Sequence, residues 1–63
     1  MRKERYGFIS VFDAQTKLLG YVPHCYKSKI PYIAKWLSGS QNFRDWSVFV
    51  LWIDGKKEAV IRR

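Results

Sequence analysis

Segment 46–53, WSVFVLWI, runs straight into Asp54-Gly55, and this junction constrains the fold more than any other feature of the chain. A run that is almost entirely β-branched or aromatic has no helical period and reads as a strand. An Asp-Gly pair suits a two-residue type I′ turn, because both central residues of that turn take positive φ. Residues 56–62 are therefore expected to return antiparallel, making 46–62 a β-hairpin. A two-residue turn also sets a register. Ile53 faces Lys56, Trp52 faces Lys57, Leu51 faces Glu58, Val50 faces Ala59, Phe49 faces Val60 and Val48 faces Ile61. On that register one face carries Trp46, Val48, Val50, Trp52, Ala59 and Ile61, the expected floor for a helix. The other carries Phe49, Leu51, Ile53 and Val60 among Lys56, Glu58 and Arg62.

The rest of the chain supplies what such a hairpin needs to pack against. Residues 6–12, YGFISVF, are aromatic and β-branched, and the polar stretch Asp13-Ala14-Gln15-Thr16-Lys17 separates them from a second strand over 18–22. Pro23 ends that strand or confines it to a sheet edge, since proline cannot donate to a ladder. Ile30, Ile33, Ala34 and Leu37 then fall at i, i+3, i+4 and i+7, one apolar stripe of a helix over 29–37. Ser28 reads as its N-cap, Pro31 lies in the first turn where its missing N–H costs nothing, and Ser38-Gly39-Ser40 is the stop. Tyr32 and Trp36, at i and i+4, form a second stripe beside Lys29 and Lys35. The order is β-β-α-β-β: a small α+β domain over 1–63, an antiparallel sheet with one helix on one face and basic, solvated ends. A ten-residue helix covers only one face of a sheet, so the other is left exposed or for a partner. On the first strand Tyr6, Phe8, Ser10 and Phe12 share a face, and the smaller Ile9 and Val11 look like core. If the two hairpins join in one sheet, parity puts the aromatic set beside Phe49.

The chain has 63 residues, and a domain of that size buries only about 60% of the surface its unfolded form exposes. Eleven aromatic residues, three Trp, four Tyr and four Phe, nevertheless supply enough apolar area to exclude disorder. Cys25 is the single cysteine, whereas small secreted domains usually rely on several disulfides, so a reducing cytoplasm is expected. No apolar stretch approaches the roughly 18 residues of a membrane span, and the start of the chain lacks the apolar region of a signal peptide.

Catalytic and metal chemistry find little to use. His24 is the only histidine, which removes His-paired metal and acid/base sites. Its neighbour Cys25 points to the opposite side on an extended segment, so the two do not converge as a nucleophile and base. Gly7, Gly20, Gly39 and Gly55 are scattered and make no phosphate loop, and Asp13 and Asp54 sit at turns. No enzyme, cofactor or metal is expected.

Charge points elsewhere. Twelve Lys and Arg against five Asp and Glu give a formal net charge of +7, which suits a polyanion or an acidic protein surface. Single-strand binders combine Lys and Arg along the phosphates with aromatic rings under the bases. Arg2, Lys3 and Arg5 precede the Tyr6/Phe8 strand, and Lys56 and Arg62 flank Phe49 and Leu51 on the other hairpin. These nine residues are the expected contact set. Tyr6-Gly7-Phe8-Ile9-Ser10 resembles the Gly-Phe-Gly-Phe-Ile strand of cold-shock and related nucleic-acid-binding sheets, and Val48-Phe49-Val50-Leu51-Trp52 is similar to their Val-Phe-Val-His-Phe strand. That resemblance makes Phe8 and Phe49 stacking positions and Tyr6 a supporting one. It spans two short segments separated by a helix, Leu51 stands in place of the histidine, and no five-stranded barrel is evident, so it is one of strand composition. The expected function is a non-enzymatic domain binding RNA or single-stranded DNA. The alternative is a small regulator or inhibitor docking its apolar strand face on another protein, such as a nucleic-acid-processing enzyme; a homodimer hiding that face is a third arrangement.

Overall fold

The computed structural model describes residues 4–63. Arg2 and Lys3 of the expected contact set lie outside the described residues. Four strands, β1 (Tyr6–Phe12), β2 (Leu18–Tyr26), β3 (Val48–Ile53) and β4 (Lys56–Arg62), form one antiparallel sheet in the order β2-β1-β3-β4. A 3-10 turn at Lys27–Lys29 leads into helix α1 (Ile30–Gly39), the one α-helix among the described residues, which packs on one face. This is the α+β arrangement expected from the sequence, with the helix between the two hairpins. No helix among the described residues is long and apolar enough to cross a membrane.

Local chemistry explains the element boundaries. At the first turn Asp13 accepts from the backbone N–H groups of Gln15 and Lys17 through Oδ1, both at 2.9 Å, and Thr16 takes φ 61° to close the loop. At the second turn Asp54 and Gly55 have φ 53° and 74°, as a type I′ turn requires. Pro23 does sit on an edge strand, but β2 continues past it. The ladder shifts between Gly7 and Ile9, where His24 takes φ 58°, so a bulge absorbs the missing donor. Ser28 does not cap α1 with its own side chain. Its N–H and Oγ instead donate to the Glu4 carboxylate at 3.0 and 2.9 Å, so the acid needed at this helix entrance comes from the other side of the chain. Those two bonds hold the Glu4 carboxyl below its usual range.

The core lies between α1 and the sheet. Ile9 and Val11 of β1, Phe49, Leu51 and Ile53 of β3, Cys25 of β2 and Leu37 of α1 are buried, with Ile30, Ile33 and Ala34 packed against them. The expected helical stripe is thus the one that faces the sheet. Trp46 closes the end of the core: its ring lies 5.3 Å from that of Phe49, its Nε1 donates to Ser38 Oγ at 3.0 Å, and the Arg63 guanidinium sits 5.5 Å over it. Arg62 belongs to β4 and Arg63 is bonded to the carbonyls of Arg44 and Trp46, so the basic carboxyl-terminal pair is part of the fold and not a solvated tail.

In the second hairpin Trp46, Ala59 and Ile61 lie on the helix side as expected, but the faces of β3 itself are the reverse of those expected. Ile53 pairs with Lys56 and Trp52 with Lys57, as a two-residue turn dictates. A bulge at Glu58 then shifts the ladder, so that Leu51 pairs with Ala59, Phe49 with Ile61 and Val50 with Val60. Ala59 and Ile61 thereby join Phe49 and Leu51 under the helix, while Val48, Val50 and Trp52 face away. Phe49 and Leu51 are 0% exposed, so neither is a surface contact residue, and Phe49 is not a stacking position. Both parities of β3 are apolar and cannot choose between themselves. The choice is made by β1, whose Ile9 and Val11 pair directly with Leu51 and Phe49. The polar Nε1 of Trp52 favours the same outcome, because Phe49 can be buried without a hydrogen-bond partner and Trp52 cannot.

Candidate functional site

With α1 on one side, the other face of the sheet is left uncovered, and it is built around Phe8. Phe8 and Trp52 are cross-strand partners on β1 and β3; their rings lie nearly parallel, 14° apart, with centroids 6.4 Å from each other. From β2 the Tyr21 ring meets Phe8 edge-on at 5.8 Å. Trp52 is held in place by its Nε1 donating to Ser10 Oγ at 2.9 Å, and Ser10 is buried beneath the rings. Phe8, Ser10, Phe12, Leu18, Tyr21 and Trp52 enclose a shallow groove of about 310 Å³. Phe8 is 41% and Tyr21 61% exposed, so these rings offer their surfaces to solvent instead of to the core. Towards the start of β1, Tyr6 lies 5.5 Å from Tyr26 and 5.3 Å from His24, which extends the aromatic surface to the edge of β2.

Cations border this surface. Lys57 Nζ is 5.9 Å from the Trp52 ring centroid, and Arg62 pairs with Val48 on the same face. Arg5 leads into β1 and is ion-paired with Asp54 of the neighbouring turn; both side chains are exposed, so the pair is weak and exchangeable. Glu58 lies within 3.9 Å of Lys27, Glu4 is bonded to Ser28, and Asp13 is bonded within its turn. Among the residues that the ladders pair on the open face, none is acidic.

Of the expected contact residues, Tyr6, Phe8 and Arg62 lie on the open face and Arg5 directly precedes Tyr6, with Arg5 and Arg62 at opposite ends of the sheet. Phe49 and Leu51 are in the core, and Lys56 pairs with Ile53, which gives it the parity of the helix-covered side. Three residues of the open face were missed: Tyr21, Trp52 and Lys57. A signal for two of them stands in the sequence. Lys57 opposes Trp52 whether or not the ladder is bulged, and a lysine beside a tryptophan marks a solvated face better than a core. Tyr21 could be placed only once the bulges of β2 are known.

His24 and Cys25 do separate as expected. His24 lies exposed against Tyr6, whereas the Cys25 thiol is turned inward, donating to the carbonyls of Val22 at 3.4 Å and Pro23 at 3.7 Å. Burial pushes the Cys25 thiol above the usual range, which keeps it protonated and unreactive. The site is thus a platform of rings with cations at its border. Such a surface can stack planar groups and hold anions beside them. Comparisons with protein-family models, with curated proteins and with solved structures find no match to this chain.

Proposed function

We propose that this protein is a non-enzymatic binder of single-stranded nucleic acid, RNA or DNA, acting through the open face of its sheet. The observation that carries the reading is the Phe8–Trp52–Tyr21 cluster, three linked rings partly open to solvent with Lys57 over one of them. Bases stacked on aromatic rings contribute about 1–3 kcal/mol each and need no particular sequence, while Lys57, Arg62 and Arg5 are placed for the phosphates. The formal charge of +7 draws a polyanion to the surface. A buried thiol without a disulfide partner suits the reducing cytoplasm, where RNA and replicating DNA are met.

Salt tests this reading directly. If the three cations each meet one phosphate, raising salt from 50 to 200 mM weakens binding of a single strand roughly 20-fold. The measurement is fluorescence anisotropy of labelled oligothymidylate and oligouridylate at both salts. Absence of any affinity better than roughly 100 μM at low salt refutes it.

A second reading rests on Val60, 45% exposed, and Leu18, 42% exposed, which add aliphatic area that base stacking does not use. On that reading the face docks on an acidic protein surface or on a second copy of the chain. Binding that survives nuclease treatment and high salt favours it.

A further inference from the structure

A second groove, about 350 Å³, lies between α1 and the bulged edge of β2. Its walls are Val22, Pro23 and Tyr26 on the strand and Tyr32, Ile33 and Trp36 on the helix, with Lys29 at its border. Tyr32 and Trp36 are 69% and 53% exposed, large rings outside the buried core, the Trp36 ring lying 5.9 Å from that of Phe43. Lys29 Nζ sits 5.5 Å over the Tyr32 ring. Two carboxylates reach this end of the molecule: Glu4, which is taken up by Ser28, and Glu58, which lies 3.9 Å from Lys27. The groove is therefore aromatic and cationic in the same way as the open sheet face.

The two surfaces are joined. Tyr6 belongs to the open face, and its ring meets His24 and Tyr26, both of which line the groove. Along β1, Phe8 stands two residues from Tyr6 on the same face, about 7 Å away. Aromatic residues thus follow one another from Trp52 and Phe8 on the sheet face, through Tyr6 with His24 and Tyr26 at the β2 edge, to Tyr32 and Trp36 across the groove. At the crossing Pro23 and the bulge at His24 make the path of β2 irregular, which disfavours the addition of another strand. An occupant there is better held by side-chain contacts.

We infer that the groove between α1 and β2 is a second base-binding subsite, so that one nucleic-acid strand lies across the open sheet face, turns over the β2 edge at Tyr6 and seats a further base against Trp36 and Tyr32 with a phosphate at Lys29. The inference rests on the nucleic-acid reading above and adds a direction and a minimum length to it. A strand of about four nucleotides engages the sheet face alone, and one of about twelve reaches both surfaces.

The test uses oligothymidylates of about four and about twelve nucleotides with the 63-residue chain and its Trp36→Ala, Tyr32→Ala and Lys29→Gln variants. Wild-type protein is expected to hold the longer strand at least about tenfold more tightly than the shorter, beyond the statistical gain from multiple registers. Trp36→Ala and Tyr32→Ala should remove most of that gain and leave the short strand's affinity unchanged. Lys29→Gln should lower the salt slope by roughly 0.7 for the long strand only. In a Trp52→Phe variant the two remaining tryptophans are buried Trp46 and exposed Trp36, so emission should respond to the long strand through Trp36 and not to the short one. Tyr32 and Lys29 are well exposed, so their variants should melt near the wild-type value, whereas Trp36→Ala should melt several degrees lower because its ring also meets Phe43 at 5.9 Å; a cooperative melt in each confirms folding. If the short strand binds but length brings only the statistical gain and Trp36 emission stays constant, the subsite is refuted while the sheet-face reading stands. If neither strand binds, both fall.

Discussion

Truncating Phe49 and Phe8 separately distinguishes the covered face of the sheet from the open one. Phe49 is fully buried, packs its ring against Trp46 and lies between Val11 and Ile61 in the ladders. Removing a buried phenylalanine ring costs about 3–5 kcal/mol. A domain of 63 residues, at 0.05–0.15 kcal/mol per residue, has a total stability of about 3–9 kcal/mol. Phe49→Ala should therefore leave the protein unfolded or barely folded at 25 °C. Phe8 keeps 41% of its surface exposed, so only a little over half of the roughly 1.5–3 kcal/mol of full phenylalanine burial is at stake, about 1–2 kcal/mol. For a chain this short that lowers the melting temperature by roughly 4–16 °C and leaves a folded protein. Its loss should show in binding instead, by about 5- to 150-fold if one stacked base is given up. Thermal melts by circular dichroism, with oligonucleotide titrations on the folded variant, read both effects. If Phe8→Ala unfolds the domain while Phe49→Ala melts like wild type, the helix covers the other face and the argument for the site is wrong.

Two further outcomes follow from particular contacts. A Cβ at Gly7 would stand 1.7 Å from the carbonyl oxygen of Trp52, a backbone atom that cannot rotate away, so Gly7→Ala should separate β1 from β3 and abolish the cooperative melt; an unchanged melt would mean the strands do not approach so closely. Burial raises the Cys25 thiol in the folded state, so the unfolded chain gives up this proton first. The stability this supplies is whole below the ordinary thiol range, near pH 8.5, and is lost as pH rises through the raised folded value. Urea titrations of wild type and Cys25→Ala between pH 7 and 10 should accordingly draw closer as pH rises, and parallel curves would refute the assignment.

Much of this architecture follows from local signals. Asp54-Gly55 specifies its turn because few residue pairs accept two positive φ values in succession, and the 3.6-residue spacing of Ile30, Ile33, Ala34 and Leu37 specifies which side of α1 meets the sheet. Phe8 and Tyr6 could likewise be assigned to the open face, since the alternation within β1 separates them from the smaller Ile9 and Val11. These properties depend on backbone dihedrals and on periods within one element, which a sequence carries directly.

Tertiary structure decided which parity of β3 became the core. That segment is apolar on both sides, so its own alternation carries no information, and the answer came from its pairing with β1 and from one extra residue, Glu58, in the strand beside it. Because the side-chain period of a strand is two residues, that single bulge kept Ala59 and Ile61 on the helix side while exchanging their partners Val50 and Val48 for Leu51 and Phe49. Phe49 and Leu51 went into the core with them, and Trp52 was left with Phe8 on the open face. The groove at the β2 edge has the same origin: Pro23, His24 and Trp36 can be read in the chain, but only the bulged path of β2 past α1 sets them around one space.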